Sequence, residues 1–407
     1  MHSISRAACP RVEHRSDRSA SGLGLGSAPV SFPLFELFPK LSQRVPRVAL
    51  GAFPTPVEPL HSIARELGAG DSQVWIKRDD VSSAVYGGNK VRTLELLLGQ
   101  ARARGQASVL ATGAFGSNHA LATAVHAPRV GLSASALLFP QPVSEAAYLN
   151  LRALAGTGAL LHALPHWSAF PFGLAWVRLR RDPAPYVMVP GGATPLGALG
   201  YVSAGLELGG QVAAGELPVP RRVIVPVGST CTSAGLLLGL ALAAHFRIGF
   251  EPATMPYLTS VRVSPWPVTS RLRILRLAAR TAHLLRELAG SEAPRLDNAM
   301  LGARFEVDGR YLGPGYGEAS AAGNQAEAQW LRLGLPALDS TYSAKAAARV
   351  VFGLRAREAG PVLFWSTKSS VPLPVAASAQ ALLSTVPLRI RAWLMRAERE
   401  LGREPVR

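Results

Sequence analysis

The chain has 407 residues, 48% of them hydrophobic and 17% charged, which excludes a largely disordered protein and predicts two domains or two lobes. The formal net charge of +17 comes from arginines scattered along the chain, so it indicates no specific nucleic-acid site. Two cysteines, Cys9 and Cys231, exclude a disulfide framework and a cysteine-rich metal site, and no apolar run is long enough to cross a membrane, so we expect a cytoplasmic protein.

Both ends of the chain are predicted to be tails. Residues 1–44 precede the first clear element and are expected to form a disordered or extended N-terminal tail. The alternation GLGLG within them follows no strand, which favours a flexible linker over a nucleotide-binding loop. Residues 396–407 are expected to form a C-terminal tail.

From residue 74 onward, short runs rich in Val, Leu and Ile alternate with Ala-, Leu- and Arg-rich segments of helical period. The predicted strands are 74–77, 108–112, 134–139, 159–164, 186–189, 222–227, 260–264 and 361–366. The predicted helices are 91–104, 119–127, 144–155, 170–180, 197–209, 233–246, 269–289, 320–333 and 343–358. This alternation predicts an α/β fold with mostly parallel sheets that are covered by helices on both faces. Ligands of such folds bind in the loops from strand to helix.

One such loop, GSTCTS at residues 228–233, follows an apolar strand and leads into a helix predicted to begin near Ser233. Its small and hydroxyl residues allow backbone N–H groups and side chains to converge on an anion, which predicts a phosphate site. Ordinary helix capping is the alternative explanation of the same residues.

Lys90, in the sequence YGGNK, stands at a predicted helix start in a chain with only five lysines. The positive end of the helix and partial burial would both lower its pKa, and an uncharged lysine is required to condense with a carbonyl group. A solvated lysine is the alternative. Together, a phosphate site and a lysine of low pKa on separate loops predict binding of pyridoxal 5'-phosphate, an aldehyde that carries a phosphate.

A family resemblance is carried by six segments: IKRDDVSSAVYGGNKVRTLELLL, ATGAFGSNHALATA, GGATPLGALGYVSAGLEL, PVGSTCTSAGLLLGL, GPGYG and LDSTYSAKAAA. In this order they resemble the pyridoxal-phosphate enzymes of fold type II that comprise D-cysteine desulfhydrase and 1-aminocyclopropane-1-carboxylate (ACC) deaminase. The resemblance implies two three-layer α/β/α lobes with the tryptophan synthase beta-like fold. The larger, cofactor-binding lobe would comprise residues 45–94 and 201–395, and the smaller lobe residues 95–200. A homodimer is also implied.

The resemblance implies roles for the residues that would hold the cofactor. Lys90 would bond covalently to its aldehyde carbon and then move protons on the carbons of the substrate. Asn118 would hydrogen-bond the phenolic oxygen, and Ser343 would face the pyridine nitrogen. The phosphate would be held by Gly228, Ser229, Thr230 and Thr232.

Other roles concern the substrate. Ser117, Asn118 and His119 would hold its carboxylate, and Ser117 would also be able to carry a proton. Tyr316 and Tyr342 would flank the substrate and assist proton transfer. The structural alternatives are helix capping by Ser117 and Asn118, a first-turn position with satisfied hydrogen bonds for His119, and ordinary core positions for the two tyrosines.

Two positions distinguish the reactions within this family. The deaminases have a glutamine after Ser-Asn and a glutamate after the second tyrosine, where this chain has His119 and Ser343. Because a hydroxyl is a weaker partner for the ring nitrogen than a carboxylate, the ring would be a milder electron sink, which suits simple elimination. The implied activity is that of a lyase or deaminase acting on a small amino acid, most like D-cysteine desulfhydrase, which forms pyruvate, ammonia and sulfide. ACC deaminase or another β-elimination or β-replacement enzyme is the alternative.

The segment STKSS, residues 366–370, departs from the family pattern of a threonine followed by two glycines. Lys368 and Ser369 stand in place of the glycines. Lys368 would narrow the ring-nitrogen side of the cofactor, bind an additional substrate carboxylate or point to solvent. The departure leaves open a catalytically silent homologue that holds the cofactor or another anion. Nucleic-acid binding driven by the net charge is a third hypothesis.

Overall fold

The computed structural model describes residues 32–70, 73–180, 182–372 and 386–403. Its strands are β1 Val57–Pro59, β2 Val74–Arg78, β3 Ser108–Ala114, β4 Ser133–Phe139, β5 Leu160–Ala163, β6 Tyr186–Met188, β7 Arg222–Val227, β8 Tyr257–Arg262, β9 Phe305–Asp308 and β10 Val362–Ser366. Its α-helices are α1 Pro33–Leu37, α2 Leu41–Arg44, α3 His61–Glu66, α4 Lys90–Ala103, α5 Asn118–His126, α6 Glu145–Gly156, α7 Phe170–Arg180, α8 Pro195–Ala213, α9 Cys231–His245, α10 Arg271–Ala289, α11 Asn298–Gly302, α12 Ala321–Arg332, α13 Ser343–Arg355 and α14 Leu388–Glu400.

These strands form two sheets. The larger has the order β1-β2-β10-β7-β8-β9, in which β1 pairs antiparallel with β2 and all other pairs are parallel. The smaller has the order β5-β4-β3-β6, and all its pairs are parallel. The prediction of an α/β fold with mostly parallel sheets is therefore confirmed.

Helices cover both faces of the larger sheet. Its central strand β7 reads RVIVPV, and all of its residues after the first are buried, as expected for a strand covered on both sides. Apolar residues of α8, α9 and α10 form the core on one face, and residues of α3, α12 and α13 form the core on the other. In α10, Ile274, Ala278 and Leu285 are buried while most of the arginines lie on the exposed side, which explains how a basic helix packs in the fold.

The smaller sheet has its own core. Residues of α4, α5, α6 and α14 pack with β3 and β4 in one apolar cluster, and α7 contributes Val177 to a cluster on the other face. Helix α4 begins at Lys90 and buries Leu94, Leu97 and Leu98 in the first of these clusters. The smaller sheet therefore places its neighbour α4 so that the first residue of the helix points back toward the larger sheet, where β10 ends.

Two apolar helices behind the larger sheet approach each other at glycines. A Cβ atom added to Gly239 of α9 would lie 2.4 Å from the carbonyl oxygen of Val202 in α8, and one added to Gly205 would lie 2.7 Å from the backbone of Gly239. Because real Cβ atoms do not approach other atoms this closely, only glycine permits the contact. Both helices are buried over most of their length, which fixes the N-terminus of α9 next to β7.

Several expectations about the chain ends are wrong. Within the predicted N-terminal tail, α1 and α2 bury Leu34, Phe38 and Leu41 against α8 and its neighbours, because their apolar residues recur at helical spacing. Helix α14 continues to Glu400, inside the predicted C-terminal tail, and it packs into the core of the smaller sheet rather than the larger. The expectation for residues 1–31 lies outside the described residues.

Smaller differences concern element limits. Strand β8 begins three residues before its predicted start, and α9 begins at Cys231 rather than near Ser233. The short edge strands β1 and β9 and the short helices α3 and α11 were not predicted. The limits proposed for the two lobes stay predictions. None of the helices in the described ranges is long and apolar enough to span a membrane.

Candidate active site

Lys90 is positioned by the elements around it: strand β2, the loop Gly87–Gly88 and helix α4. The loop Gly87–Gly88 follows β2, and Gly88 has a positive φ of 93°. A Cβ there would lie 2.8 Å from the carbonyl oxygen of Thr367, so glycine is required by both its conformation and its surroundings. Asn89 donates its N–H to the same carbonyl oxygen at 2.9 Å. Lys90 is thus fixed next to the C-terminal end of β10.

The amine of Lys90 has no hydrogen bond or ion pair to any residue that the structure describes. Burial lowers the pKa of Lys90, which favours the uncharged amine at the N-terminus of α4. A Cβ added to Gly191 would lie 3.6 Å from Lys90 Nζ and 2.1 Å from Ser229 Oγ, so these three residues are neighbours. A buried lysine with a lowered pKa and without a partner beside a strand-to-helix loop fits a carbonyl-binding amine, and that role of Lys90 stays a prediction.

The loop after β3 places Ser117, Asn118 and His119. Ser117 caps α5, where its Oγ accepts the N–H of Ala120 at 3.2 Å, so the predicted capping role is present. His119 is only 2% exposed, and both of its ring nitrogens lack a hydrogen-bond partner among the described residues. Burial and the nearby Lys90 lower the pKa of His119 to about 3, so the ring is neutral and keeps one donor and one acceptor for a ligand.

A hydrogen-bond network sets the orientation of Asn118. Its Oδ1 accepts from Tyr86 Oη at 3.3 Å and from Asn150 Nδ2 at 2.8 Å. Lys368 Nζ donates to the same two residues, to Tyr86 Oη at 3.2 Å and to Asn150 Oδ1 at 3.3 Å. The carbonyl side of Asn118 is thereby occupied, which leaves its Nδ2 as the donor for an anionic oxygen.

The phosphate site was predicted in the loop after β7 and at the start of α9. Thr230 has a φ of 71° and does not cap the helix with its side chain, so the first N–H groups of this 15-residue helix remain for another acceptor. Thr232 Oγ1 accepts from Asn89 Nδ2 at 3.0 Å, which joins this loop to the residue before Lys90. The carbonyl oxygen of Gly228 accepts from Thr269 Oγ1, which anchors the start of the loop.

Tyr316 and Tyr342 form a hydrogen-bonded pair. Their hydroxyl oxygens lie 2.8 Å apart, and the ring of Tyr342 lies close to Gly228. Burial raises the pKa of Tyr316, and burial together with the neighbouring Tyr316 raises that of Tyr342 still further. Both hydroxyls therefore stay protonated, and one proton is shared within the pair while the other is available to a ligand.

Ser343, the first residue of α13, is engaged with Asp339. Its Oγ donates to Asp339 Oδ2 at 2.7 Å and accepts the backbone N–H of Asp339 at 2.6 Å. The same carboxylate accepts the backbone N–H groups of Thr341, Tyr342 and Ser343. The expectation that Ser343 faces the cofactor ring stays a prediction, but a carboxylate that sequence reasoning missed lies directly behind it.

A narrow cavity of about 240 Å³, its open mouth included, connects several of these groups. Among the residues that line it are Asn118, Asn150, Tyr316, Tyr342 and Lys368. A larger cavity of about 950 Å³, its open mouth likewise included, lies elsewhere, between α1 and α8, and it contains none of the predicted site residues. We place the candidate site at the smaller cavity because Asn118, which precedes His119, and Tyr342, whose ring lies close to Gly228, both line it.

A buried ion cluster of Lys77, Asp79, Arg92 and Glu207 supports the loop that carries Lys90. Arg92 donates to Asp79 and to Glu207 at 2.8 Å, and Lys77 donates to Glu207 at 2.6 Å. Although burial raises the pKa of Glu207, the charges of Arg92 and Lys77 outweigh it and hold that pKa at about 2. The carbonyl oxygen of Asp79 also accepts the N–H of Gly88 at 2.8 Å, so the cluster fixes the glycine loop.

Sequence reasoning missed Tyr86, Gln141, Asn150 and Asp339. Tyr86 directly precedes the glycine pair, which was a usable signal. Asn150 is a buried polar residue on the otherwise apolar face of α6, and this mismatch with its neighbours was a second signal. Nothing in the sequence indicated that Gln141 or Asp339 would line the cavity.

These observations fit pyridoxal phosphate. The unpartnered Lys90 amine, the free ring nitrogens of His119 and the uncapped start of α9 match its aldehyde, anionic groups and phosphate. The fold and the site thus define a pyridoxal-phosphate-dependent enzyme. Residues 48–330 match the sequence profile of the family described as "Pyridoxal-phosphate dependent enzyme", and the chain belongs to that family.

Individual relatives narrow the comparison. The chain is 33% identical over 335 residues to a D-cysteine desulfhydrase of Salmonella choleraesuis, with 80% of this chain and 94% of the relative covered. It is 42% identical over 205 residues to a nocardicin C-9' epimerase of Nocardia uniformis subsp. tsuyamanensis, a match that spans 49% of this chain and only 60% of the epimerase. A solved structure described as an ACC deaminase homologue superposes with a TM-score of 0.65 at 27% identity, covering 88% of this chain and all of that one.

Proposed function

We propose that this protein is a lyase that removes the α-proton of a small amino acid and expels a leaving group from the β-carbon, as a D-cysteine desulfhydrase does. The observation that carries the proposal is the amine of Lys90, whose pKa is lowered by burial and which has no partner among the described residues. A relative whose match covers 80% of this chain and 94% of its own length has this activity in its name.

The residues present suit the proton movements of such a reaction. When bound, pyridoxal phosphate supplies an electron sink for charge that develops on the α-carbon. Lys90 Nζ would take the α-proton, because an uncharged amine is a competent base. The Tyr316–Tyr342 pair, which burial keeps protonated, would give a proton to the leaving sulfur. Elimination requires both a base and an acid, and this site offers one of each.

Other residues would position the ligands. In this proposal the start of α9 with Gly228, Ser229, Thr230 and Thr232 binds the phosphate. Asn118 Nδ2 donates to the phenolic oxygen of the cofactor, an orientation that Tyr86 and Asn150 fix from behind.

The substrate has its own contacts. The neutral ring of His119 and the hydroxyl of Ser117 would bind the α-carboxylate of the amino acid. Ser343 would contact the pyridine nitrogen, with Asp339 hydrogen-bonded behind it.

The test has two parts. Protein purified with pyridoxal phosphate should be yellow, and borohydride should fix the cofactor to the peptide that contains Lys90, whereas Lys90→Arg should not be labelled and the surface control Lys40→Arg should be. Pyruvate, 2-oxobutyrate and sulfide are then measured with D-cysteine, L-cysteine, D-serine, β-chloroalanine and ACC. A colourless protein, label on another side chain, or no product from the whole panel would refute the proposal.

Ring opening of ACC is the second candidate. The sequence favours elimination because Ser343 replaces the glutamate of the deaminases, but the carboxylate of Asp339 lies 2.7 Å from the Ser343 hydroxyl and would strengthen its negative character. Formation of 2-oxobutyrate from ACC, in excess of pyruvate from D-cysteine, would favour this candidate over the first.

Epimerisation at the α-carbon begins with the same proton removal, and one relative is named an epimerase. Its signature is exchange of the α-hydrogen with deuterated water and inversion of the amino acid without any keto acid product. Measuring this exchange by proton NMR on the same panel separates it from elimination.

We further propose that the protein forms a homodimer in the cytoplasm. Large apolar side chains on and next to α7 are exposed, with Trp167 64%, Phe172 78% and Leu179 87% accessible, which is typical of a surface that another chain covers. Light scattering after gel filtration should give twice the chain mass of 43.0 kDa, and a monomer would contradict this proposal.

A further inference from the structure

The narrow cavity beside Tyr316 and Tyr342 collects nitrogen donors from distant parts of the chain. Gln141 Oε1 accepts the N–H of Gly116 at 3.1 Å, which leaves Gln141 Nε2 as an unused donor in the part of the chain that the structure describes. Lys368 uses two of its three ammonium protons on Tyr86 and Asn150, so it retains one. The amide of Asn118 presents a third donor.

The ammonium group of Lys368 forms no ion pair with any described residue, in contrast to Lys40 and Lys77, which pair with Glu292 and Glu207. Asp339 is the acidic residue of the cavity lining, and its carboxylate already accepts the hydroxyl of Ser343 and three backbone N–H groups. The lining therefore carries one positive and one negative charge, and the negative one is directed to hydrogen bonds of its own loop and helix start rather than to Lys368.

The partners of Lys368 do not supply a negative charge either. Burial raises the pKa of Tyr86, so its phenol stays neutral, and Asn150 is an uncharged amide. A partly buried ammonium group that is held in place by neutral acceptors is preorganised for an anion, because the two hydrogen bonds fix the group without neutralising it.

From this arrangement we infer that Lys368, with Gln141, binds a second carboxylate on the side chain of the substrate. The preferred substrate is then an amino acid that carries an acidic group beyond its β-carbon. The inference rests on the proposed function, in which His119 and Ser117 hold the α-carboxylate and Asn118 contacts the cofactor, so that Lys368 and Gln141 remain for the side chain.

The experiment compares acids with their amides. Dissociation constants of aspartate, asparagine, glutamate and glutamine, each as both enantiomers, are measured by calorimetric titration of the cofactor-loaded protein. In the unaltered protein, one acid should bind about tenfold or more tightly than its amide, as expected for a charge-assisted hydrogen bond. In Lys368→Met this ratio should fall to about one, while Lys368→Arg should retain it within about threefold.

Lys40→Met is the matched control, because it removes a lysine charge at a distant, exposed position and should leave the ratio unchanged. A ratio near one in the unaltered protein overturns the inference, even where Lys368→Met does not fold. Equal weakening of acid and amide in Lys368→Met also overturns it, since Lys368 would then bind the α-carboxylate. Failure of the cofactor to become fixed at Lys90 refutes the proposed function instead, and the acid-to-amide ratio is then measured on the protein without attached cofactor and judged separately.

Discussion

Helix α4 contributes residues to two buried polar regions, which differ in whether their polar groups have partners. In the ion cluster around Arg92, every charged side chain has an opposite charge within 2.8 Å. In the active site, two residues away along the helix, the amine of Lys90 and the ring of His119 have no partner among the described residues. Burial alone is therefore no sign of a ligand site. Here the paired charges hold the architecture, whereas the unpaired groups of Lys90 and His119 remain available to a ligand.

Replacing Lys90 tests the prediction that an unpaired buried group is needed for activity and not for stability. Lys90→Met should lower turnover of the substrate found in the panel by at least about 10³-fold, because the covalent attachment and the base are lost together. The free energy of unfolding, measured in urea without cofactor, should stay the same or rise, because an unpaired buried amine is removed. Lys40→Met should change neither quantity. Clear destabilisation by Lys90→Met would show that Lys90 also holds the architecture.

Replacing Arg92 tests the prediction that the paired ion cluster is needed for stability. Arg92→Met leaves Asp79 and Glu207 buried with too little positive charge, so the free energy of unfolding should fall by about 3 to 5 kcal/mol in urea titrations. Arg396, which pairs with Glu400 on an exposed helix face, provides the control. Arg396→Met should cost less than about 1 kcal/mol. Similar losses from the two variants would contradict a special role for the buried cluster.

The pH dependence of stability sharpens the comparison. The unfolded chain takes up a proton on His119 near its ordinary pKa of 6.5, whereas the folded protein does so only at about 3. Stability should therefore decline as the pH falls below 6.5, and the contribution of His119 at pH 5 is about 2 kcal/mol. His119→Gln should remove this part of the decline between pH 7.5 and 5, as measured by urea unfolding of the cofactor-free protein.

Glu207 acts in a separate window. Its pKa falls from 4.5 to about 2 on folding, so the stability that it contributes is present above pH 4.5 and is lost between pH 4.5 and 2.

The control for His119→Gln is a variant of the exposed His245. His245→Gln should retain the decline in stability seen above pH 5. If His119→Gln declines as steeply as the unaltered protein, then His119 takes up its proton in the folded state, and it is not the isolated neutral ring described above.

Much of the fold could be predicted because parallel strands leave strong signals. The run RVIVPV of β7 and the alternation of apolar runs with helical segments predicted strands β2 to β8 and β10, and the helices from α4 to α13 other than α11, to within a few residues. The 13-residue helix α14 was missed. The edge strands β1 and β9 have only three and four residues, too few to show a period. Helices α1 and α2 were missed because they are equally short, and their apolar residues become informative only once α8 provides a partner.

The residues of the candidate site could be predicted where they lie in a single loop that follows a strand. Lys90, His119 and the start of α9 each follow a strand, so sequence position alone located them. The surroundings of Lys368 were not predictable, because Tyr86, Asn150 and Lys368 come from three distant segments that only the tertiary fold brings within hydrogen-bond distance. For the same reason, the carboxylate behind Ser343 could not be found from its neighbours in sequence.

The two-residue spacing of Lys90 and Arg92 has a mechanical consequence. Two residues along an α-helix correspond to a rotation of roughly 200°, so the side chains of Lys90 and Arg92 project from nearly opposite sides of the same helical turn. Any movement of this helical turn would break the ion pairs of the Arg92 guanidinium group with Asp79 and Glu207. Lys90 is accordingly held in a fixed position, so any movement that admits a substrate would have to come from other residues, such as Tyr316 and Gln141 in the cavity lining.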